Sequence, residues 1–358
     1  MKSPRLLFVP ASGARGAGEY FRCVSIAEAA RRRWQECAVR FIVNRDAGYA
    51  RGSAFETTLV DGSPTFSTAI VKRTLDEYRP DVAIFDSAGR VAQLAHAHRT
   101  GAATVYISSR FKTRWKGFRL RRMRQLDHHW LAWPRFLEGD LTTWERIKLK
   151  LMGRPEVVFL DPVRPDTDSQ RAVQTLNRFG LSAGEYLLFS GGGGGYTAGG
   201  LSPPEIFGRA AIDVHQATAR PVVWVRGPNY PGEGLNSSGI VQMDAVPPEQ
   251  MMDLLANARL AVVNGGSLLL QALGTSTVAI AAPIAGDQPQ RIDACVRLGL
   301  AAGSALDVAE LSARTLELLS DISRCDSIRD RTRQLSLGNG AQQAVAAIER
   351  LCQRRAAS

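Results

Sequence analysis

Residues Asn264 to Arg291 read N-G-G-S-L-L-L-Q-A-L-G-T-S-T-V-A-I-A-A-P-I-A-G-D-Q-P-Q-R. A short helix, a strand and a polar loop follow one another here, with glycines at the joints. Gly265 and Gly266 let backbone approach a ligand, and Ser267 follows them at the helix start, where unpaired N–H groups favour an anion. Thr277 to Ala282 reads as a buried strand. Pro283 closes it ahead of a loop whose Asp287, Gln288 and Gln290 can hydrogen-bond a ligand. The order is that of a nucleotide-holding half-domain.

Outward from this stretch, short β-rich apolar runs alternate with amphipathic helical segments, the pattern of parallel sheets with helices on both faces. Arg5 to Pro10, Val39 to Val43, Val82 to Phe85 and Thr104 to Ser108 read as strands, with helices over Tyr20 to Trp34 and Phe66 to Tyr78. A second series has strands at Tyr186 to Ser190, Val222 to Val225 and Leu260 to Val263, with a helix over Pro203 to Thr218. Two Rossmann-like units are the economical reading. Asp161 to Gln170 (D-P-V-R-P-D-T-D-S-Q) has a linker's prolines and small polar residues,. The expected domains are therefore 1–163 and 164–358.

Gly191 to Gly195 is an unbroken run of glycines after the strand Tyr186 to Ser190. The backbone N–H groups of Gly191, Gly192, Gly193 and Gly194 can fold around a diphosphate; the plain alternative is a surface loop. Ser202-Pro203-Pro204-Glu205 supplies a helix N-cap, a first-turn proline and a capping-box acid. The missing Gly-Lys-Ser/Thr ending excludes a Walker A loop. Arg226, after the strand at Val222, is a cation that can reach phosphate. In the first βα turn, Gly13, Gly16 and Gly18 precede Glu19 and Arg22 without the G-x-G-x-x-G spacing of a dinucleotide fingerprint. Glu19 is a first-turn acid that complements the helix dipole or accepts a proton. Asp86 ends a strand, where residues face the ligand crevice of such sheets.

The C-terminal layout resembles that of GT-B glycosyltransferases, especially the MurG family: a glycine (Gly265), a ribose-binding position (Gln271, where an acid is usual) and an intact Asp287-x-x-Gln290. The glycine run matches that family's G-G-S-x-G turn near the diphosphate, and Val246 aligns with the turn whose backbone contacts the base. The first loop resembles the G-x-G-H-x-x-R loop of PseG-like UDP-sugar hydrolases through Gly16, Gly18 and Arg22, with Glu19 in the place of histidine. The resemblance implies an α/β GT-B architecture of two Rossmann-like domains facing across a cleft, with the last helix (about 340–355) crossing back onto the first domain. It implies an inverting, metal-independent hexosyl- or N-acetylhexosaminyltransferase with a UDP-linked donor in the second domain. Glu19 would be its base, Asp86 its helper, and the nucleotide sugar its substrate rather than a cofactor. The alternatives are a UDP-sugar hydrolase or epimerase, and a non-enzymatic binding protein.

The chain has 358 residues, 45% of them hydrophobic, enough for two cores,. A formal charge of +11 implies attraction to something negative,. Its densest source is Arg110 to Arg124, R-F-K-T-R-W-K-G-F-R-L-R-R-M-R. Cations interleaved with Phe111, Trp115 and Phe118 suit an anionic membrane surface or a lipid-linked acceptor in glycan or cell-envelope biosynthesis. Nucleic acid is disfavoured because no recognisable binding module accompanies them. Five cysteines without a C-x-x-C pair indicate neither a disulfide scaffold nor a zinc site, and fit a cytoplasmic protein, peripheral on the inner membrane face,. Leu6 to Val9 is too short for a signal core. The histidines lack zinc-site company, and Asp166-Thr-Asp168 has no strand before it, so no metal is expected.

Overall fold

The computed structural model describes residues 3–11, 13, 17–50, 52–193, 201–230, 232–235, 237 and 239–356. The chain divides into two compact units, one of residues up to Val163 together with those from Asn339 onward, the other of Arg164–Gly338.

In the first unit β1 (Arg5–Pro10), β2 (Ala38–Asn44), β3 (Glu56–Val60), β4 (Val82–Asp86), β5 (Ala103–Ser108), β6 (His128–Leu131) and β7 (Glu156–Phe159) form a sheet in the order β3-β2-β1-β4-β5-β6-β7. Every pairing is parallel. Its helices are α1 (Gly18–Arg33), α2 (Thr68–Tyr78), α3 (Val91–Arg99), α4 (Phe111–Gly117), α5 (Leu120–Met123), α6 (Arg135–Glu138) and α7 (Thr143–Met152). The central strands are buried along their length, as two-sided helix cover requires,.

The second unit carries α8 (Ser169–Arg178), β8 (Leu187–Ser190), α9 (Pro203–Thr218), β9 (Val222–Val225), β10 (Ile240–Met243), α10 (Pro248–Ala256), β11 (Leu260–Asn264), α11 (Ser267–Gly274), β12 (Ala279–Ala282), α12 (Gln288–Arg297), β13 (Ala302–Gly303), α13 (Val308–Ser320) and α14 (Ile322–Gln334). The sheet order is β10-β9-β8-β11-β12-β13, again parallel. At the start of α9, Glu205 Oε2 accepts from the Ser202 N–H (2.8 Å) and hydroxyl (2.6 Å), so the Ser-Pro-Pro-Glu start is in place. Gly208 of the same helix lies so near β9 that a Cβ there would be 2.6 Å from the Trp224 ring.

α15 (Gly340–Ala356) belongs to the first unit. Its Ala341, Ala344, Ile348 and Leu351 share a core with Tyr20, Cys23, Ala27 and Ala30 of α1. The Gln343 amide fixes its start, accepting from Asp161 N–H and donating to Asp161 Oδ2, each at 2.8 Å. The histidines of β6 are core residues: His129 Nε2 is 2.9 Å from Ser108 Oγ, and His128 Nδ1 accepts from Trp130 Nε1 at 3.3 Å. Asp168 has a capping task, accepting the Arg171 N–H at 2.9 Å.

Candidate active site

Both sheets reverse their strand order once, between β1 and β4 in the first and between β8 and β11 in the second. At such a point the crossovers leave to opposite faces, and the carboxyl ends of the two strands open a crevice for a ligand.

In the second unit the crevice is made of two glycine turns joined by one side chain. Asn264, the buried last residue of β11, donates from Nδ2 to Gly191 O at 2.7 Å and accepts the Gly266 N–H at Oδ1, also at 2.7 Å. Gly192 has φ +85°, and a Cβ there would run into Asn264 Nδ2, so this turn admits no side chain,. Ser190 Oγ accepts the Gly192 N–H at 3.2 Å, and Gly193 O accepts the Asn229 N–H at 2.9 Å. Gly194 and the rest of the glycine run lie outside the described residues.

Three expectations for this half need correction. The N–H groups of Gly265 and Gly266 are not open to an anion, because Ala282 O and Asn264 Oδ1 take them. Gly265 is small for a packing reason: a Cβ would be 2.6 Å from Ile292 of α12. The N–H groups left for a ligand are those one step on, at Ser267 and Leu268, which helix geometry leaves without intrahelical acceptors. The expected polar loop is a helix from Gln288 onward, with Pro289 in its first turn, where the missing N–H costs nothing,. Gln288 turns inward, buried, its Oε1 accepting the Ile284 N–H at 2.8 Å, so it does not face a sugar. Asp287 is 3.1 Å from Arg291 Nη2, while Gln290 is exposed. Arg291, which sequence reading passed over, also donates to Gly265 O and so ties α12 to the glycine turn.

Gln271 lies about one turn into α11, half-buried, and Val246 is partly exposed between β10 and α10. Arg226 does not stand free for phosphate: it pairs with Asp244, its side chain mostly buried between Trp224 and Tyr230. The Asn229–Gly193 bond sets this segment beside the glycine turn.

In the first unit, Asp86 does not stand at the crevice mouth as a reacting carboxylate. It is 0% exposed and bound side-on by Arg22, Nε to Oδ2 at 2.7 Å and Nη2 to Oδ1 at 2.8 Å. Ser87 Oγ lies 3.3 Å from Oδ1, and Arg22 Nη2 also donates to Ser109 Oγ at 3.3 Å. Burial pushes the Asp86 carboxyl up against the opposing pull of Arg22. Burial works against the Arg22 charge, but Asp86 outweighs it and holds the guanidinium firmly protonated. Ala11 N–H donates to Asp86 O at 2.8 Å, so the strand end also anchors the first loop. Glu19 sits in the first turn of α1 with its side chain 15% exposed, Oε1 3.7 Å from Arg110 Nη2. Gly16 lies outside the described residues.

The basic segment is only partly surface. Arg114 is buried against Glu145 (2.7 Å), and Arg122 donates to Gly89 O and covers the Tyr106 ring. Phe118 is buried against His129. Trp115, Lys112, Lys116, Arg119 and Arg121 remain exposed.

No protein-family model and no curated protein matches the chain. Solved structures do. The glycotransferase of kitacinnamycin is 17% identical, with 98% of this chain and 99% of that one covered and a TM-score of 0.62. UGT2 of Phytolacca americana, complexed with UDP-2fluoro-glucose and pterostilbene, is 13% identical over 98% and 100%, TM-score 0.63. A putative UDP-N-acetylglucosamine 2-epimerase from Listeria monocytogenes is 10% identical over 97% and 95%, TM-score 0.58. At these identities the likeness is one of fold, and with two parallel α/β units of the same strand order it shows that the chain has the GT-B fold.

Proposed function

We propose that this chain is a glycosyltransferase that moves a sugar from a nucleotide-sugar donor, UDP-linked, to an anionic or membrane-associated acceptor, with inversion and without a metal. The observation that carries the donor half is the pair of glycine turns stitched by Asn264. A side-chain-free turn at a switch point leaves room for a diphosphate beside the first turn of α11, whose Ser267 and Leu268 N–H groups would receive it. The likeness in fold to a UGT2 complexed with UDP-2fluoro-glucose supports a UDP-linked donor.

For the acceptor half, Glu19 is the proposed base. The acceptor hydroxyl attacks the anomeric carbon, its proton passes to the Glu19 carboxylate, and the bond from that carbon to the diphosphate oxygen breaks, its electrons leaving with UDP. The Asp86–Arg22 pair is a positioning element that holds the first turns of α1 against the end of β4. The cations of Arg110 to Arg124 that remain exposed support an anionic acceptor.

The test is a panel of nucleotides and nucleotide sugars in thermal unfolding, followed by turnover in a chelator. A ligand present at about 100 times its Kd adds about 2.7 kcal/mol. UDP and UDP-sugars should raise Tm, and donor should be consumed only with acceptor. If no nucleotide stabilises the chain, the proposal fails. The fold likeness to a UDP-N-acetylglucosamine 2-epimerase favours a second reading, hydrolysis or epimerisation of the donor, and turnover without any acceptor would establish it.

A further inference from the structure

Helix α7 is well made locally, yet one whole side of it faces water. Thr142 Oγ1 caps it by accepting the Glu145 N–H at 3.2 Å, Glu145 Oε2 accepts the Thr142 N–H at 2.8 Å, and Gly153 ends it in the left-handed conformation. None of its residues is buried. Trp144 (73% exposed), Ile147 (41%) and Leu151 (78%) recur at i, i+3 and i+7 and so form one apolar stripe open to water,. Helical geometry sets Lys150 along one flank of that stripe, with Arg146 farther round on the same side, and the half-buried Lys148 along the other,.

The stripe does not stand alone. Arg114 of α4 grips Glu145 at both carboxylate oxygens, 2.9 and 2.7 Å, and donates to Asp140 O at 2.9 Å, so α4 and the start of α7 are tied together. The neighbouring segment adds exposed Trp115 (53%) and Leu120 (47%). Arg119 lies over the Trp115 ring at 4.1 Å, and Lys112, Lys116 and Arg121 are exposed. An isolated exposed leucine needs no explanation, but an apolar helical stripe with two nearby tryptophans and a cationic border does.

We infer that α7 seats on an anionic lipid bilayer, its Trp144–Ile147–Leu151 stripe in the headgroup–acyl boundary and its flanking cations on the lipid phosphates. Charge complementarity selects this occupant over a second copy of this cationic chain: the exposed flanking side chains are Arg and Lys, which lipid phosphates match and a like surface would repel,. Amphipathic helices with tryptophan and leucine on one face and lysine on the other lie in that interface without crossing it. No helix among the described residues is long and apolar enough to cross a membrane. The inference rests on the preceding reading only in its membrane-associated acceptor.

The test is co-sedimentation of the full chain with vesicles of phosphatidylcholine alone, and with about 30% phosphatidylglycerol added. Binding is expected to the second and not the first. Arg146→Gln with Lys150→Gln should lower the partition coefficient about 30-fold, the weight of two cations at such a surface. Trp144→Ala with Leu151→Ala should abolish sedimentation even at low salt. All these side chains are exposed, so the variants should melt like the parent. UDP affinity, measured in parallel, should not change; UDP binding without vesicle binding sinks this inference alone, and vesicle binding without UDP binding sinks the donor reading alone. Sedimentation unchanged in either double variant overturns the inference. So does a parent dimer that Trp144→Ala with Leu151→Ala dissociates, which would make the occupant a second copy.

Discussion

Replacing Asn264 tests both the bonds that hold the two glycine turns and the tolerance of the proposed diphosphate site for a negative charge. Asn264→Ala deprives Gly191 O and Gly266 N–H of their partners. A buried polar group left without a partner costs about 1–3 kcal/mol. Gly191 is buried and Gly266 partly open, so the loss should be about 2–4 kcal/mol, and UDP affinity should fall as the turns loosen,. Asn264→Asp has almost the same shape and still accepts the Gly266 N–H, but it cannot donate to Gly191 O and turns a buried negative oxygen toward that carbonyl,. It should therefore be no more stable than the Ala variant. It also adds a negative charge beside the proposed diphosphate site, and two like charges about 6 Å apart at an effective dielectric of about 20 repel by about 3 kcal/mol, or about 100-fold in Kd. By urea denaturation the Asn parent should be the most stable, with Asp no higher than Ala, and the UDP affinity order by calorimetry should be Asn, Ala, Asp. If the Asp variant binds UDP as tightly as the Ala variant, the diphosphate does not rest at this crevice.

Three further outcomes follow from buried and half-buried groups. Burial, then Arg114 and Arg122, push the His129 pKa from 6.5 down to about 3. The unfolded chain therefore takes up a proton in that window which the folded chain refuses; stability is full above pH 6.5 and falls as pH drops toward 3, by up to about 1.4 kcal/mol per pH unit,. Urea melts of His129→Gln should lack this slope, and parallel profiles for parent and variant would refute the assignment. Arg22→Met leaves Asp86 as an unpaired buried charge and should cost about 3–5 kcal/mol, much of it recovered by adding Asp86→Leu; a double variant no more stable than the single one would show that the pair is not what the substitution disrupts. Glu19→Gln should lower turnover by about 10²–10⁴ with UDP affinity unchanged. Near-normal turnover would leave Glu19 as a helix-start acid.

The central strands were legible because a strand buried on both faces reads as an unbroken apolar run, as in Leu6 to Val9 and Leu260 to Val263. The outer strands were not: β3 carries Glu56, Thr57 and Thr58, and β6 opens on His128 and His129, letters that signal surface until Ser108 and Trp130 are seen to bond one nitrogen of each ring. Asp287 to Gln290 misled in the other direction. Its polar letters suggested a loop, whereas Pro289 suits a first helical turn and Gln288 spends its amide on the backbone. Asn264 heads the stretch that decided the fold, yet no role was read from it. The usable signal was an amide at the last position of a buried strand, directly before two glycines, where it must find partners in adjoining turns. The Arg22–Asp86 pair joins residues far apart in sequence, and no local pattern announces it. Arg110 to Arg124 looked like one basic surface because charge is legible and direction is not; Arg114 and Arg122 point inward to Glu145, Gly89 and Tyr106.

The two units solve one geometric problem with different chemistry. In each, the last residue of the strand beyond the switch point is a buried polar side chain that reaches to the segment after the first strand: Asp86 of β4 to Arg22, and Asn264 of β11 to Gly191. Asn264 does this without adding a charge, beside the first turn of α11, whose N–H dipoles favour an anion,. Asp86 does it as a carboxylate that needs a buried guanidinium, with Glu19 close enough to add to the field on both. A diphosphate placed there would face Glu19 and Asp86 with Arg110 and Arg22 already committed to them, whereas a hydroxyl losing its proton needs the Glu19 carboxylate. The division of labour proposed here, donor on the second unit and proton transfer on the first, accords with which strand end carries the amide and which the acid.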